Sequence, residues 1–423
     1  MTRKSERLRS FARATVRRFT ASARRVLLTE PGTGTVDEAE VAGAQEIARS
    51  AAELKAGMAK VGQLMAYLAG PGAATDIEAR RALAVLWDQA PAVDRAAIRR
   101  VVSDDLGAPP DEIFASWDDA PMAAASLGEV HAATSKSGVA LAVKVQYPGV
   151  AEALRSDLES PRLVRQLAGS ELGGALSPDS ITRLRDAVLA ELDYLAEGAW
   201  MTRFRRAFLG DEDMVVPRYL AELSSRRVLT AERIDGQPLT TFAAEAPADA
   251  RAAVALILFR FAWGGPLTHR LLNADPNPGN YLVLPDRRVA FLDFGCATEL
   301  DDEVVEMDRK IWRSVIRRDG EALRYFVHME GLLGTARTLD STTYRDWERY
   351  LAAPYLADKP FRWTRGYASR LAELTSLLVR GGGLTLPPGA VLLWRQRLGV
   401  SAVIAELDPV ADFAGMLQKI LAA

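Results

Sequence analysis

The chain has 423 residues, 49% hydrophobic and 26% charged, with a formal net charge of −2. That length allows two to three domains or one two-lobed unit around a large core. The composition excludes general disorder, and the near-neutral balance argues against a general nucleic-acid binder. A single cysteine, Cys296, excludes an internal disulfide framework and a cysteine-based zinc site and fits a reducing compartment.

Residues 1–28 carry the sharpest charge bias: Arg3, Lys4, Arg7, Arg9, Arg13, Arg17, Arg18, Arg24 and Arg25 face one acid, Glu6. Leu8, Ala12, Val16, Phe19, Ala23 and Leu27 recur at helical spacing. The segment reads as a basic amphipathic helix suited to an anionic membrane surface; a solvated helix packed on the domain and an organellar transit peptide are the alternatives. No run approaches the ~18 apolar residues a spanning helix needs, so a cytoplasmic chain, soluble or peripheral to the membrane, is expected.

Residues 37–69 follow as a long Ala-rich helical pattern ending at Gly70-Pro71-Gly72, and 76–106 as a second helical block. After Pro109-Pro110 the texture changes, and 123–133 and 139–147 read as two strands around a small-residue turn. Helices are expected over 150–209, strands at Val215–Tyr219 and Arg227–Ile234, and a turn at Asp235-Gly236. Beyond Pro247 helices dominate, interrupted by strands at Tyr281–Val283 and Val289–Leu292.

Chemistry concentrates in that interruption. Asp275 and Asn280 stand five apart in Asn-Ala-Asp-Pro-Asn-Pro-Gly-Asn (273–280), and Asp293-Phe294-Gly295 follows a hydrophobic strand. A carboxylate, an amide oxygen and a second carboxylate in this order are what a kinase-type phosphate site uses to orient an attacking group and hold metal. Upstream, Lys144 lies on a strand in Ala-Val-Lys-Val, where such a site places its phosphate-binding lysine. Ala123, Ala124, Ala125, Ser126 and Gly128 take the place of a phosphate loop but offer one glycine where Gly-x-Gly-x-x-Gly needs several, so a different nucleotide pose is expected. Glu191, Asp193 and Glu197 lie on one predicted helix but not on one face, and any of them could pair with Lys144. Gly62, in Lys60-Val61-Gly62-Gln63, costs a helix interior about 1 kcal/mol relative to Ala, which close packing of Lys60 and Gln63 against another surface would explain. His131 and His269 lack metal-ligand spacing and read as structural.

Taken together, Lys60–Gln63, Ala123–Gly128, Lys144, Glu191–Asp193, 273–280 and Asp293-Phe294-Gly295 resemble the UbiB/AarF family of atypical kinases over roughly residues 40–300. The resemblance implies an α+β, protein-kinase-like two-lobed fold with a helical N-terminal extension and a mostly helical C-terminal lobe. Its expected parts are a basic segment and linker over 1–36, the extension over 37–120, the N-lobe over 121–235 and the C-lobe over 236–423. It further implies Mg²⁺-dependent chemistry on ATP (or ADP), linked to ubiquinone or another isoprenoid lipid or quinone precursor, with the peptide groove covered. By position, Lys144 would contact phosphates and Glu197 would be its helix partner. Asp275 would orient the attacking hydroxyl or water, and Asn280 and Asp293 would hold Mg²⁺. Glu232 and Arg233 would lie at the hinge beside adenine, and Glu191 and Asp193 would tie to Lys60 and Gln63. Asn273 and Asn277 stand where the family carries histidines, which leaves the metal ligands but changes their support. The alternative is a nucleotide-binding pseudokinase that regulates a lipid- or protein-binding surface.

Overall fold

The computed structural model describes residues 94–423 apart from Ser126, residues 160–177, residues 334–340 and Leu386. The basic segment 1–28 and Lys60–Gln63 lie outside the described residues.

Helix α1 (Arg95–Leu106) is opened by Asp94, whose carboxylate accepts from the Ala96 amide, and closed by Gly107 at φ 84°. A short α2 (Pro110–Ile113) leads into β1 (Ser116–Ala125), β2 (Gly128–Thr134) and β3 (Ala140–Gln146). Three strands thus stand where the spacing predicts two: the first begins at Ser116, ahead of residue 123, and the stretch 123–133, read as one strand, is divided between the antiparallel β1 and β2. Strict alternation along β3 explains the placement of its lysine. Leu141, Val143 and Val145 turn to one face and pack on Ile98, Val101 and Val102 of α1, so Lys144 must face the other way.

Helices α3 (Val150–Glu159), α4 (Pro178–Ala190) and α5 (Tyr194–Ala207) follow. The pattern across 178–207 is therefore not one helix: it breaks at Glu191-Leu192-Asp193 because the Asp193 carboxylate caps α5, accepting from the Leu195 and Ala196 amides at 3.1 and 3.3 Å. Strand β4 (Met214–Val215) is shorter than the spacing predicts. Pro217 has no N–H for a ladder, and Tyr219 makes only an isolated bridge to Ala231. With β5 (Val228–Glu232) the N-terminal sheet is complete, in the antiparallel order β1-β2-β3-β5.

The helical part begins with β6 (Gln237–Pro238), α6 (Leu239–Glu245) and α7 (Ala248–His269). By length and composition α7 could cross a membrane, with mean hydropathy 1.2, but 72% of its apolar window is buried inside the protein and it is the axis of the main hydrophobic core. Strands β7 (Leu271–Asn273), β8 (Tyr281–Val283), β9 (Val289–Phe291) and β10 (Ala297–Glu299) come next. Two of them, β7 and β10, are too short for sequence periodicity to register. They pair with each other, while β4, β9, β8 and β6 form a second small sheet in that order. The chain ends in α8 (Asp302–Ile316), α9 (Gly320–Met329), α10 (Ser341–Leu356), α11 (Arg365–Arg380), α12 (Val391–Leu407) and α13 (Phe413–Ala422).

Candidate active site

Three elements distant in sequence meet at Lys144. Its Nζ donates to Glu197 Oε2 at 3.0 Å and Oε1 at 3.1 Å, and to Asp293 Oδ2 at 3.1 Å. The Tyr194 ring lies 4.8 Å from the same nitrogen. Glu197 reaches it because Glu197, Met201 and Phe204 recur on the buried face of α5. Phe204 in turn packs on Phe294 at 4.8 Å, and the Phe294 amide approaches Glu197 Oε1, so the Asp293-Phe294-Gly295 turn is docked on the helix that holds the lysine's partner. Of the three acids open to Lys144 in the sequence, the structure selects Glu197 and adds Asp293.

Burial governs the electrostatics of this triad. Glu197 is pushed up to about 7 by desolvation, with Asp293 adding and the Lys144 charge opposing. Desolvation pulls the Lys144 ammonium down, but Asp293 and Glu197 together outweigh it and hold it well above the ordinary lysine range. One cation thus serves two carboxylates in a largely desolvated setting.

The second half of the site is the 273–280 segment. Asn280 Nδ2 donates to Asp275 Oδ2 at 3.0 Å, which leaves the Asn280 amide oxygen as an acceptor. Asp275 is 6% exposed, and its Oδ1 is buried without a hydrogen-bond partner among the described residues. Asn273 ties the segment to its neighbour: its Nδ2 donates to the Asp293 carbonyl at 2.8 Å and its Oδ1 accepts from the Asp275 amide at 3.3 Å. Asn277 has a different duty, accepting from the Gly279 amide at 3.0 Å to shape the turn. The Leu292 amide donates to the Asn280 carbonyl at 3.0 Å, and β8 pairs with β9, so Asn280 and Asp293 sit at adjoining strand ends. Asp293 Oδ1 accepts from the Gly295 amide at 2.9 Å.

Other expected residues take less direct places. Ala123 and Ala124 are exposed at the end of β1, Ala125 is half-buried, and Ser126 lies outside the described residues. Gly128 is required by packing: a Cβ there would stand 2.0 Å from the Val145 carbonyl oxygen, so its absence lets β2 approach β3. Glu232 ends β5 and Arg233 follows it, but their side chains pair with Arg218 and Asp235, and their amides already donate to the Arg218 and Ala140 carbonyls. Asp193 is a helix cap within 3.5 Å of Arg226, and Glu191 accepts from Cys296 Sγ at 2.9 Å; their expected partners Lys60 and Gln63 are outside the described residues. His131 bridges the Asp118 carbonyl and Glu129, and the His269 ring packs edge-on against Phe208 at 5.1 Å.

Arg395 joins the site without any motif to mark it. It projects from α12 to bring Nη2 within 3.9 Å of Asp275 Oδ1, and both side chains are largely buried. The available signal was the pair of arginines, Arg395 and Arg397, inside the largely apolar run of α12.

Chemically, the arrangement offers a fixed cation for an anionic ligand, two oxygen ligands for a hard metal ion and a sheltered carboxylate oxygen for a donated proton. A β-sheet lobe over a helical region, with this constellation between them, defines an atypical kinase-like protein. The chain belongs to the family described as the ABC1 atypical kinase-like domain, whose model matches residues 85–326. It is 28% identical over 377 residues to Rv0647c of Mycobacterium tuberculosis, covering 86% of this chain and 75% of that one. To the rat atypical kinase COQ8B, mitochondrial, it is 25% identical over 369 residues, covering 86% and 69%. To the Caenorhabditis elegans atypical kinase coq-8, mitochondrial, it is 27% identical over 331 residues, covering 76% and 44%. Among solved structures, Rv3197 of Mycobacterium tuberculosis in complex with erythromycin superposes with a TM-score of 0.64 at 26% identity, covering 90% of this chain and 96% of the other.

Proposed function

We propose that this chain binds ATP or ADP with Mg²⁺ and transfers or hydrolyses the terminal phosphoryl group, acting in ubiquinone or other isoprenoid-lipid metabolism and not on peptides. The observation that carries the reading is Lys144 Nζ held at 3.0 and 3.1 Å from Glu197 and Asp293, on the sheet face opposite the α1 core. In this reading Lys144 binds the phosphates and Glu197 fixes its position. Asp275 orients the attacking hydroxyl or water, whose proton passes to the open Oδ1 as the new P–O bond forms and the bond to the leaving ADP breaks. Asn280 holds the other oxygen of Asp275. A Mg²⁺ ion would neutralise phosphate charge. Asp293 and the Asn280 amide oxygen are the residues that would hold it, and a carboxylate plus an amide oxygen suits a metal that draws its remaining ligands from phosphate and water. The pseudokinase reading drew on the loss of two histidines. Asn273 still ties 273–280 to Asp293 by donating to the Asp293 carbonyl, and it accepts from the Asp275 amide, which favours turnover. The lipid link rests on the family resemblance alone, and peripheral contact with anionic membrane on residues 1–28.

The test is Mg²⁺-dependent phosphate release from ATP by the full chain, with and without liposomes carrying phenolic quinone-precursor analogues. Asp275→Asn should lower kcat about 100-fold or more while leaving nucleotide affinity within about threefold. Equal release by wild type and Asp275→Asn would refute the enzymatic reading. Asp293→Asn should remove the Mg²⁺ dependence of nucleotide binding.

A further inference from the structure

Residues 391–407 form a helix more than 100 residues beyond the Asp275 segment, yet one face of it abuts that segment. Arg395 and Gly399 stand four apart on α12, one turn above each other. Arg395 Nη2 lies 3.9 Å from Asp275 Oδ1. At Gly399 a Cβ would stand 2.1 Å from Cγ of Pro276 and 2.8 Å from its Cβ, so the proline ring is seated directly on the helix backbone. Pro276 is itself buried, which leaves its ring no solvent into which to retreat. The helix that carries these contacts is firmly anchored. Arg397 donates to both carboxylate oxygens of Asp308 on α8 at 2.5 Å, and its guanidinium lies 5.4 Å from the Trp263 ring and 5.1 Å from that of Trp312. A rigid surface therefore meets Asp275, to which the proton would pass, and the proline that follows it.

We propose that α12 positions the Asp275 segment, with Gly399 as the seat for Pro276 and Arg395 as the charge that aims the Asp275 carboxylate. Arg395 is a positioning residue: it acts through Asp275. The inference deepens the proposed phosphoryl-transfer reading and rests on it for its kinetic consequences, while its structural consequence stands apart from turnover. Displacing a reacting group by about 1 Å costs on the order of 100-fold in rate. A methyl group at Gly399 must displace Pro276 or the helix by about that amount.

The experiment compares the full chain with Gly399→Ala, Arg395→Gln, Arg395→Lys and the double variant Gly399→Ala/Pro276→Ala. Amide hydrogen exchange is read over 273–280, alongside kcat, KM and nucleotide affinity. Gly399→Ala and Arg395→Gln should speed exchange across 273–280 by roughly tenfold with β3 and α5 unchanged. They should also lower kcat by about 10- to 100-fold with KM and nucleotide affinity within about twofold. Arg395→Lys should recover part of the loss, and removing the Pro276 ring should make the Gly399→Ala effect smaller than in the wild-type background. Unchanged exchange at 273–280 in both single variants would overturn the proposal. So would a general loss of protection with kcat and nucleotide affinity falling together, since that is the signature of an unfolding lobe. A full chain that binds nucleotide without turnover would count against the enzymatic reading and leave the exchange comparison to decide this one.

Discussion

The two halves of the site are held by different physics. Around Lys144 the restraint is charge, one ammonium shared by Glu197 and Asp293 in a desolvated setting. Around Asp275 the restraint is mostly neutral: the Asn280 and Asn273 amides, backbone bonds, and the packing of Pro276 on Gly399, with the Arg395 charge 3.9 Å away. Such a division suits the two different tasks proposed for the site. Charge pairing tolerates small movements and can be rearranged when an anionic ligand arrives, whereas a proton acceptor must be fixed in position before the ligand binds. The halves should therefore fail differently when damaged.

The largest effect is expected at Lys144. Lys144→Met leaves Glu197, 1% exposed, and Asp293 facing one another without their cation. Breaking a buried pair from one side costs about 3–5 kcal/mol, with the lower end expected here because Glu197 can take up a proton. Chemical denaturation at pH 8, where that relief is smallest, measures the loss, and nucleotide titration should show affinity falling with it. A stability change under about 1 kcal/mol would mean that charge does not organise this half.

A pH experiment sharpens the comparison further. Glu197 is pushed up to about 7 from an ordinary value of 4.5, chiefly by burial, so the folded chain binds this proton more tightly than the unfolded chain. Its contribution is therefore fully present below pH 4.5 and is lost as pH rises through about 7, a change of roughly 3 kcal/mol at most. Glu330 is pushed up to about 8 by burial and contributes with the same sign, so the wild-type curve alone is not diagnostic. The difference between wild type and Glu197→Gln isolates the site. That difference should slope between pH 5 and pH 7.5, and a flat difference would remove the desolvated triad as the cause.

How far the sequence disclosed these features follows from the range of each interaction. The Asp275, Asn280 and Asp293 set was readable because its members lie within 20 residues and ride on turn chemistry that local sequence specifies. Lys144 was readable from its strand, and alternation along β3 fixed its face. The choice of Glu197 over Glu191 and Asp193 came from the family resemblance and not from helical spacing, because it depends on where α4 stops and α5 starts, and Asp193 caps that break with two backbone bonds no periodicity reports. Short strands such as β7 and β10 escaped for the same reason: three residues carry too little pattern, and tertiary pairing makes them. Arg395 and Gly399 escaped because their partners are over 100 residues away, and a helical Gly or Arg declares nothing about what rests on it.

The smallest and most discriminating effect is expected at Asn273. Asn273→Ala removes the bond to the Asp293 carbonyl and the one from the Asp275 amide, each worth about 1 kcal/mol, for a total of about 1–2 kcal/mol in denaturant unfolding. The orphaned groups are poorly placed for rehydration, since Ala274 is fully buried and Asp275 nearly so. Turnover should fall more than nucleotide affinity, because the lost bonds join Asp275 to Asp293 and leave Lys144 and Glu197 untouched. Asn273→His, which can still donate one of the two bonds, should fall between wild type and Asn273→Ala. If Asn273→Ala instead weakened nucleotide binding as much as Lys144→Met does, the amide scaffold would be carrying the charged half as well, and the division between the two halves would not hold.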